Sequence, residues 1–191
     1  DSALDAYHQL PFDVISYTHS EGTPEYRKAL ANYYKNRGYD LGPENFIVTN
    51  VGSEALLFTF GVIANPGDEI IIPEPFYANY NSFACQSEVK IVPIQSTIEN
   101  NFGLPPIESF EEKITSKTKA ILICHPGNPT GYLYSQEELN KLKDLVLKHD
   151  LYLISDEVYA EYIYGGEEHI SVLSFDELRN HAIIIDSESK R

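Results

Sequence analysis

Methionine is absent from this 191-residue chain, and cysteine occurs only twice, as Cys85 and Cys124. Two isolated thiols build no disulfide scaffold and suit a reducing compartment. Cations are also scarce: 14 Lys and Arg face 29 Asp and Glu, for a formal net charge of -15 at pH 7. That balance argues against nucleic acid as a partner, because its phosphates call for clustered Lys and Arg. No stretch approaches the ~20 apolar residues of a membrane span. The opening DSALDAYHQL lacks the basic and apolar regions of a signal peptide. With no initiator methionine, the chain reads as trimmed at its start. His19, His125, His149, His169 and His181 are scattered, without a ligand spacing such as His-x-x-x-His, so no metal site is expected. The expectation is a soluble cytoplasmic protein that binds neither membrane nor nucleic acid.

Apolar residues, by contrast, make up 42% of the chain, with 14 Tyr and 9 Phe, which speaks against disorder. The length allows one domain with a substantial core, or a large piece of a bigger one. Apolar runs alternate with helix-like segments, the pattern of an α/β protein. Strands are expected at Phe46 to Asn50, Glu69 to Pro75, Lys90 to Ile94, Ala120 to His125, Leu151 to Glu157 and Ala182 to Ser187. Most of these runs are continuous rather than alternating, as in parallel strands covered on both faces. Thr23 followed by Pro24 marks a helix start, and Gly38 closes that helix. Ser135 with Glu138 forms a capping box ahead of the apolar face of Leu139, Leu142, Leu145 and Val146. Ser53 to Ala64 is apolar almost all round and is expected to be a buried helix, and a short helix is expected near Ile107 to Ile114. There is no repeat, linker or low-complexity tract, so one domain is expected.

Open parallel sheets gather ligands beyond the carboxyl ends of their strands. Those ends carry NVGSE, PEPFY, HPGNPTG, SDEVY and SESK. The Gly52-Ser53-Glu54 turn opens a helix, where free N–H groups suit a phosphate, or it is an ordinary cap, which Glu54 would serve equally well. Two prolines and two glycines in PGNPTG fix a tight turn. Asn128 within it either presents its amide to a ligand or bonds its own backbone. Asp156 ends an apolar strand, where an ionised carboxylate needs a partner such as a cationic ligand nitrogen; otherwise it is a surface residue. Tyr159 follows three residues later. Lys190, past the last strand, is either a solvated end or a nucleophile activated by desolvation.

YTHSEGTPEYRKAL, GSEAL, PEPFYANY, HPGNPTG, SDEVYAEY and SESK, in that order, resemble the class I/II aminotransferases. This is the fold-type-I, aspartate-aminotransferase-like group of pyridoxal-5′-phosphate (PLP) enzymes of amino-acid metabolism. The resemblance runs from about Tyr17 to Lys190. It implies the three-layer α/β/α large domain with a mostly parallel sheet, here incomplete, and a homodimer. By position it implies that Lys190 forms the Schiff base with the PLP aldehyde and that Asp156 pairs with the pyridinium nitrogen. Asn128 and Tyr159 would bond the ring's 3′-oxygen, and Tyr77 would stack on its face. Gly52, Ser53, Glu54 and Ser187 would hold the phosphate, and Tyr17 would reach the partner subunit's phosphate.

The implied reaction is transfer of an amino group between an amino acid and a 2-oxo acid in two ping-pong half-reactions, with the freed Lys190 amine as general base. The chain stops one residue after that lysine. The family's phosphate-binding and carboxylate-clamping arginines, and its small domain, have no counterpart here. The 191-residue chain alone is therefore expected to be inactive or nearly so. His125 and Glu188 stand where the family more often has an uncharged residue. Two other readings stay open: another PLP reaction at the same lysine, such as β-elimination, and a non-catalytic interaction module on the same scaffold.

Overall fold

The structure, a computed structural model, describes residues 2–10 and 17–190. These fall into two compact units that divide between Val48 and Thr49. The first unit contains helix α1 (Ser2–His8), helix α2 (Pro24–Asn36) and a 3-10 turn (Pro43–Asn45). As expected, Thr23 caps α2, accepting the Tyr26 N–H on its side chain, with Pro24 in the first turn. Gly38 follows at φ 93°, a left-handed conformation that costs glycine little. Gly22 is needed for two reasons: its φ is 103°, and a Cβ there would come within 2.5 Å of the Val48 side chain.

The strand expected at Phe46 to Asn50 does not form. The segment is irregular, and the Val48 N–H bonds the Glu21 carbonyl rather than a ladder partner. Its apolar sequence gave the strand signal, but Ile47 is 73% exposed, so the run has no second covered face.

The second unit opens with α3 (Gly52–Ile63) and continues through β1 (Glu69–Glu74), α4 (Tyr80–Gln86) and β2 (Lys90–Gln95). It then runs through α5 (Ile107–Glu111), β3 (Thr118–Cys124) and α6 (Gln136–His149). β4 (Tyr152–Asp156) and β5 (Ala182–Ile185) end it. The strands make one sheet in the order β2-β1-β3-β4-β5, and every pairing is parallel. Because side chains alternate across a strand, neighbouring apolar residues feed opposite layers. Ile71, Ile121, Ile123 and Leu153 pack with Phe110 and the Leu139, Leu142, Leu145, Val146 face of α6. Ile70, Ile72, Leu122 and Ile154 pack with Leu56 and Phe60 of α3 and Tyr80 and Phe83 of α4. The α/β/α layering expected from the unbroken apolar runs is therefore present. No helix among the described residues is long and apolar enough to cross a membrane.

Two local signals behave differently. The Ser135–Glu138 capping box forms as expected, with each partner bonding the other's backbone. The helix expected to be buried all round is not: α3 sends Leu56 and Phe60 inward, while Phe58 is 51% and Val62 84% exposed. Leu56 and Phe60, flanked by the partly buried Ala55 and Ile63, meet the inner layer, while Phe58 and Val62 stay exposed.

Candidate active site

The strand order reverses direction between β1 and β3, which puts a crevice at their carboxyl ends. The register levels three of those ends: Cys124 lies opposite Asp156, and Asp156 opposite Ile185. The loops that follow bring most of the expected polar residues to this one edge. Among them lies a cavity of about 20 Å³, lined by Phe76, Tyr80, Cys124, Asn128 and Tyr132 among others, which is room for a water molecule rather than a ring.

Asp156 sits at the end of β4 and is 5% exposed. Its Oδ2 accepts the Tyr80 hydroxyl at 2.7 Å, and its Oδ1 accepts the Val158 N–H at 3.3 Å. No Lys, Arg or His forms an ion pair with it among the described residues. Burial raises its pKa above the usual carboxylate range, and the nearby Asp186 adds to this. The Tyr80 and Val158 hydrogen bonds pull the other way. A buried carboxylate with donors but no cation can take one from a ligand.

The partner of Asp156 on α4, Tyr80, was not singled out from the sequence. It is fully buried, and burial together with the Asp156 charge raises its pKa well above 10. It therefore stays a hydroxyl donor. The available signal was its spacing, three residues past Tyr77 in PEPFYANY, across the turn that leads into α4. The Tyr77 ring meets the Tyr80 ring edge-on at 5.5 Å, and the Tyr77 hydroxyl accepts the Asn79 amide at 2.7 Å. Cys124, opposite Asp156, is an inert thiol, its pKa pushed up to about 12 by burial and by the Asp156 charge.

At the start of α3, the Glu54 and Ala55 N–H groups both turn back to the Val51 carbonyl. The Gly52 and Ser53 N–H groups in that first turn have no protein acceptor among the described residues. The Glu54 carboxylate points back to the Asn50 backbone N–H at 2.7 Å, which is the capping role rather than a ligand contact. A Cβ on Gly52 would lie 3.6 Å from both Ile185 and Val158, so this helix start abuts the ends of β4 and β5.

Asn128 lies in the turn after β3, whose Gly127 and Gly131 amides bond the Tyr132 and Gly127 carbonyls. Past β5, Ser187 and Ser189 share a hydroxyl hydrogen bond at 2.9 Å. The exposed Lys190 ends a 3-10 turn (Glu188–Lys190), with its Nζ 5.9 Å from the centre of the Tyr159 ring. Tyr17 belongs to the first unit and is fully exposed. His125, flagged as unusual for its position, is wholly buried and neutral, its pKa lowered to about 3 by burial and by His169.

The sheet order, the buried acid at the end of β4, the glycine turn opening α3 and the lysine past β5 define a parallel α/β fold with its polar residues at one edge, where such folds place their ligands. Residues 10–191 match the family of class I and II aminotransferases, and the chain belongs to that family. It is 38% identical over 178 residues to the putative aminotransferase YugH of Bacillus subtilis, covering 92% of this chain and 45% of that protein. It is 37% identical over 176 residues to an aspartate aminotransferase of the same organism, covering 91% of this chain and 44% of that protein. An aspartate aminotransferase of Thermus thermophilus, solved as a double mutant, superposes with a TM-score of 0.81 at 35% identity, over 90% of this chain and 44% of its own. An alanine aminotransferase of Pyrococcus furiosus superposes at 0.84 and 34% identity, over 98% of this chain and 46% of its own. The chain thus spans less than half the length of these relatives. Membership in the family implies use of PLP.

Proposed function

We propose that residues 1–191 are part of the PLP-binding large domain of an aminotransferase that moves an amino group between an amino acid and a 2-oxo acid. The observation that carries this reading is Asp156: a buried carboxylate, supplied with hydrogen-bond donors but no cation, at the ligand edge of a family scaffold. A protonated pyridine nitrogen fits that requirement, and the two unbonded amides at Gly52 and Ser53 fit a phosphate. Bound PLP supplies an electron sink for the charge left when a proton departs from an amino acid's α-carbon.

The chain's own residues then divide the work. Asp156, aimed by the Tyr80 hydroxyl, keeps the ring nitrogen protonated. Gly52 and Ser53, with the Ser187 hydroxyl, hold the phosphate, and the Glu54 amide contributes less because it already bonds Val51. Tyr77 covers one face of the ring and excludes water from it. Asn128 and Tyr159 bond the ring oxygen. Lys190 would be the residue that holds the cofactor through its aldehyde, and its amine would act as general base toward the substrate's α-proton. A homodimer in which the exposed Tyr17 reaches the partner's phosphate belongs to the same reading, as does a cytoplasmic setting.

The test is borohydride reduction after addition of PLP, followed by peptide mapping. Label confined to Lys190 and lost in Lys190→Ala is the expected result. Label spread over surface lysines in the full-length protein would remove the reading.

A further inference from the structure

Beneath the candidate site, on the other face of β4, lies a polar cluster with no part in the chemistry just described. Glu157 follows Asp156 directly, so it points to the opposite side of the sheet. Its Oε1 accepts the Ser155 hydroxyl at 2.9 Å and the Val172 N–H at 3.1 Å. Its Oε2 is 3.7 Å from His169 Nε2. His169 Nε2 in turn donates to the His125 carbonyl at 3.1 Å, and the two imidazoles lie 4.7 Å apart. His125 Nδ1 accepts the Tyr134 N–H at 3.1 Å, which leaves the proton on Nε2 to donate to the Ile170 carbonyl at 3.1 Å. His125 and Tyr134 are the two ends of the loop that carries Asn128. One continuous chain of hydrogen bonds and packed rings therefore runs from Glu157 through residues 169–172 to the root of that loop.

We propose that Glu157 is a positioning residue: as a neutral carboxylic acid it locks residues 169–172 onto β4, and through His169 and His125 it holds the Asn128 loop in place. This rests on the functional reading above for what Asn128 does, but not for the bracing itself. The titratable groups that face Glu157 are His169, Asp186 beyond β5, and the neutral His125 behind His169. Burial pushes the Glu157 pKa up to about 7, and Asp186 adds to the rise, against the hydrogen bonds from Ser171, Val172 and Ser155. When pH climbs past that value the carboxyl loses its proton to solvent, and an unscreened charge is left in the packed layer. The cluster then relieves it by opening to water, which loosens both segments.

Hydrogen exchange read by mass spectrometry tests this on the chain and its Glu157→Gln variant, near pH 6 and near pH 8, with rates corrected for intrinsic exchange. Glutamine keeps the shape, and its Oε1 can accept the Ser155 and Val172 hydrogen bonds, but it does not titrate. Near pH 8, segments 125–134 and 169–173 of the unsubstituted chain should exchange roughly threefold or more faster than in the variant, and near pH 6 the two should agree. Equal exchange near pH 8 overturns the proposal. Should the variant fail to fold, the unsubstituted chain decides alone: no loss of corrected protection in these segments between the two pH values overturns it. His169→Gln separates the relay from the brace. It should loosen 125–134 near pH 6 and leave the Val172 amide protected, and unchanged exchange at 125–134 overturns the relay. Borohydride labelling in parallel keeps the readings apart. A missing label at Lys190 with the expected exchange pattern removes the functional reading and leaves the brace standing.

Discussion

Asp156 and Glu157 are consecutive acids at the end of one strand, 5% and 4% exposed, yet they sit in different environments. Asp156 faces the layer of α3 and α4, where Tyr80 and Val158 donate to it and no cation answers its charge. Glu157 faces the layer of α6, where Ser155, Ser171 and Val172 surround it beside His169. Burial raises the pKa of both. The difference lies in what each site lacks. The surroundings of Asp156 are incomplete until a ligand brings a positive nitrogen, whereas those of Glu157 are complete with a proton. In the proposed reading one strand end serves a ligand on one face and the scaffold on the other, because alternation separates the two carboxyls.

The largest expected effect that would break this comparison is at Asp156. Replacing one member of a buried charge pair costs about 2–5 kcal/mol of binding, so Asp156→Asn should weaken PLP binding at least roughly 30-fold in a fluorescence titration. The same variant, without cofactor, should unfold at equal or higher urea concentration at neutral pH. The raised folded-state pKa means that ionising Asp156 already costs the fold stability. Unchanged PLP affinity would place Asp156 on the same footing as Glu157.

Glu157 should show the opposite balance. Its folded pKa of about 7 stands above the ordinary 4.5 of a glutamate, so its contribution is fully present below 4.5 and is lost as pH rises through about 7. The span corresponds to on the order of 3 kcal/mol. Glu157→Gln should flatten that fall, with urea midpoints that diverge from the unsubstituted chain only toward alkaline pH. Parallel midpoint curves would contradict the assignment.

Tyr80→Phe is a smaller change that sharpens the contrast, since it removes one donor from Asp156 and none from Glu157. A hydrogen bond to a charged group contributes about 1.5–3 kcal/mol. PLP affinity should therefore fall by roughly tenfold while the exchange of residues 169–173 stays unchanged. The smallest effect is expected away from both acids. Val62→Thr on the exposed side of α3 should shift stability by no more than about 0.5 kcal/mol, as measured by the thermal midpoint.

Much of the fold was legible in the sequence because local patterns there carry physical content. Continuous apolar runs gave the five observed strands, and the Ser135–Glu138 and Thr23–Pro24 signals gave two helix starts. Phe46 to Asn50 carried the same apolar signal but forms no strand, and α3 carried apolar residues on a side that stays exposed at Phe58 and Val62. In both cases composition stated what could be buried, not what was. The candidate site was legible through its order of polar groups at strand ends. Tyr80 and Glu157 were not singled out, because what matters about each is a contact: a Tyr80 hydroxyl reaching a carboxylate 76 residues away, and a buried acid whose partners come from residues 169–172.

The sequence by itself determined the alternation of strands and helices, the polar residues at the strand ends and the family to which they belong, because periodicity, caps and motifs are written along the chain. Only the tertiary structure decided which of those residues lie together at one edge and which carboxyls are buried. Burial, register and the absence of a neighbouring cation are properties of space rather than of order, and they alone separate Asp156 from the acid beside it.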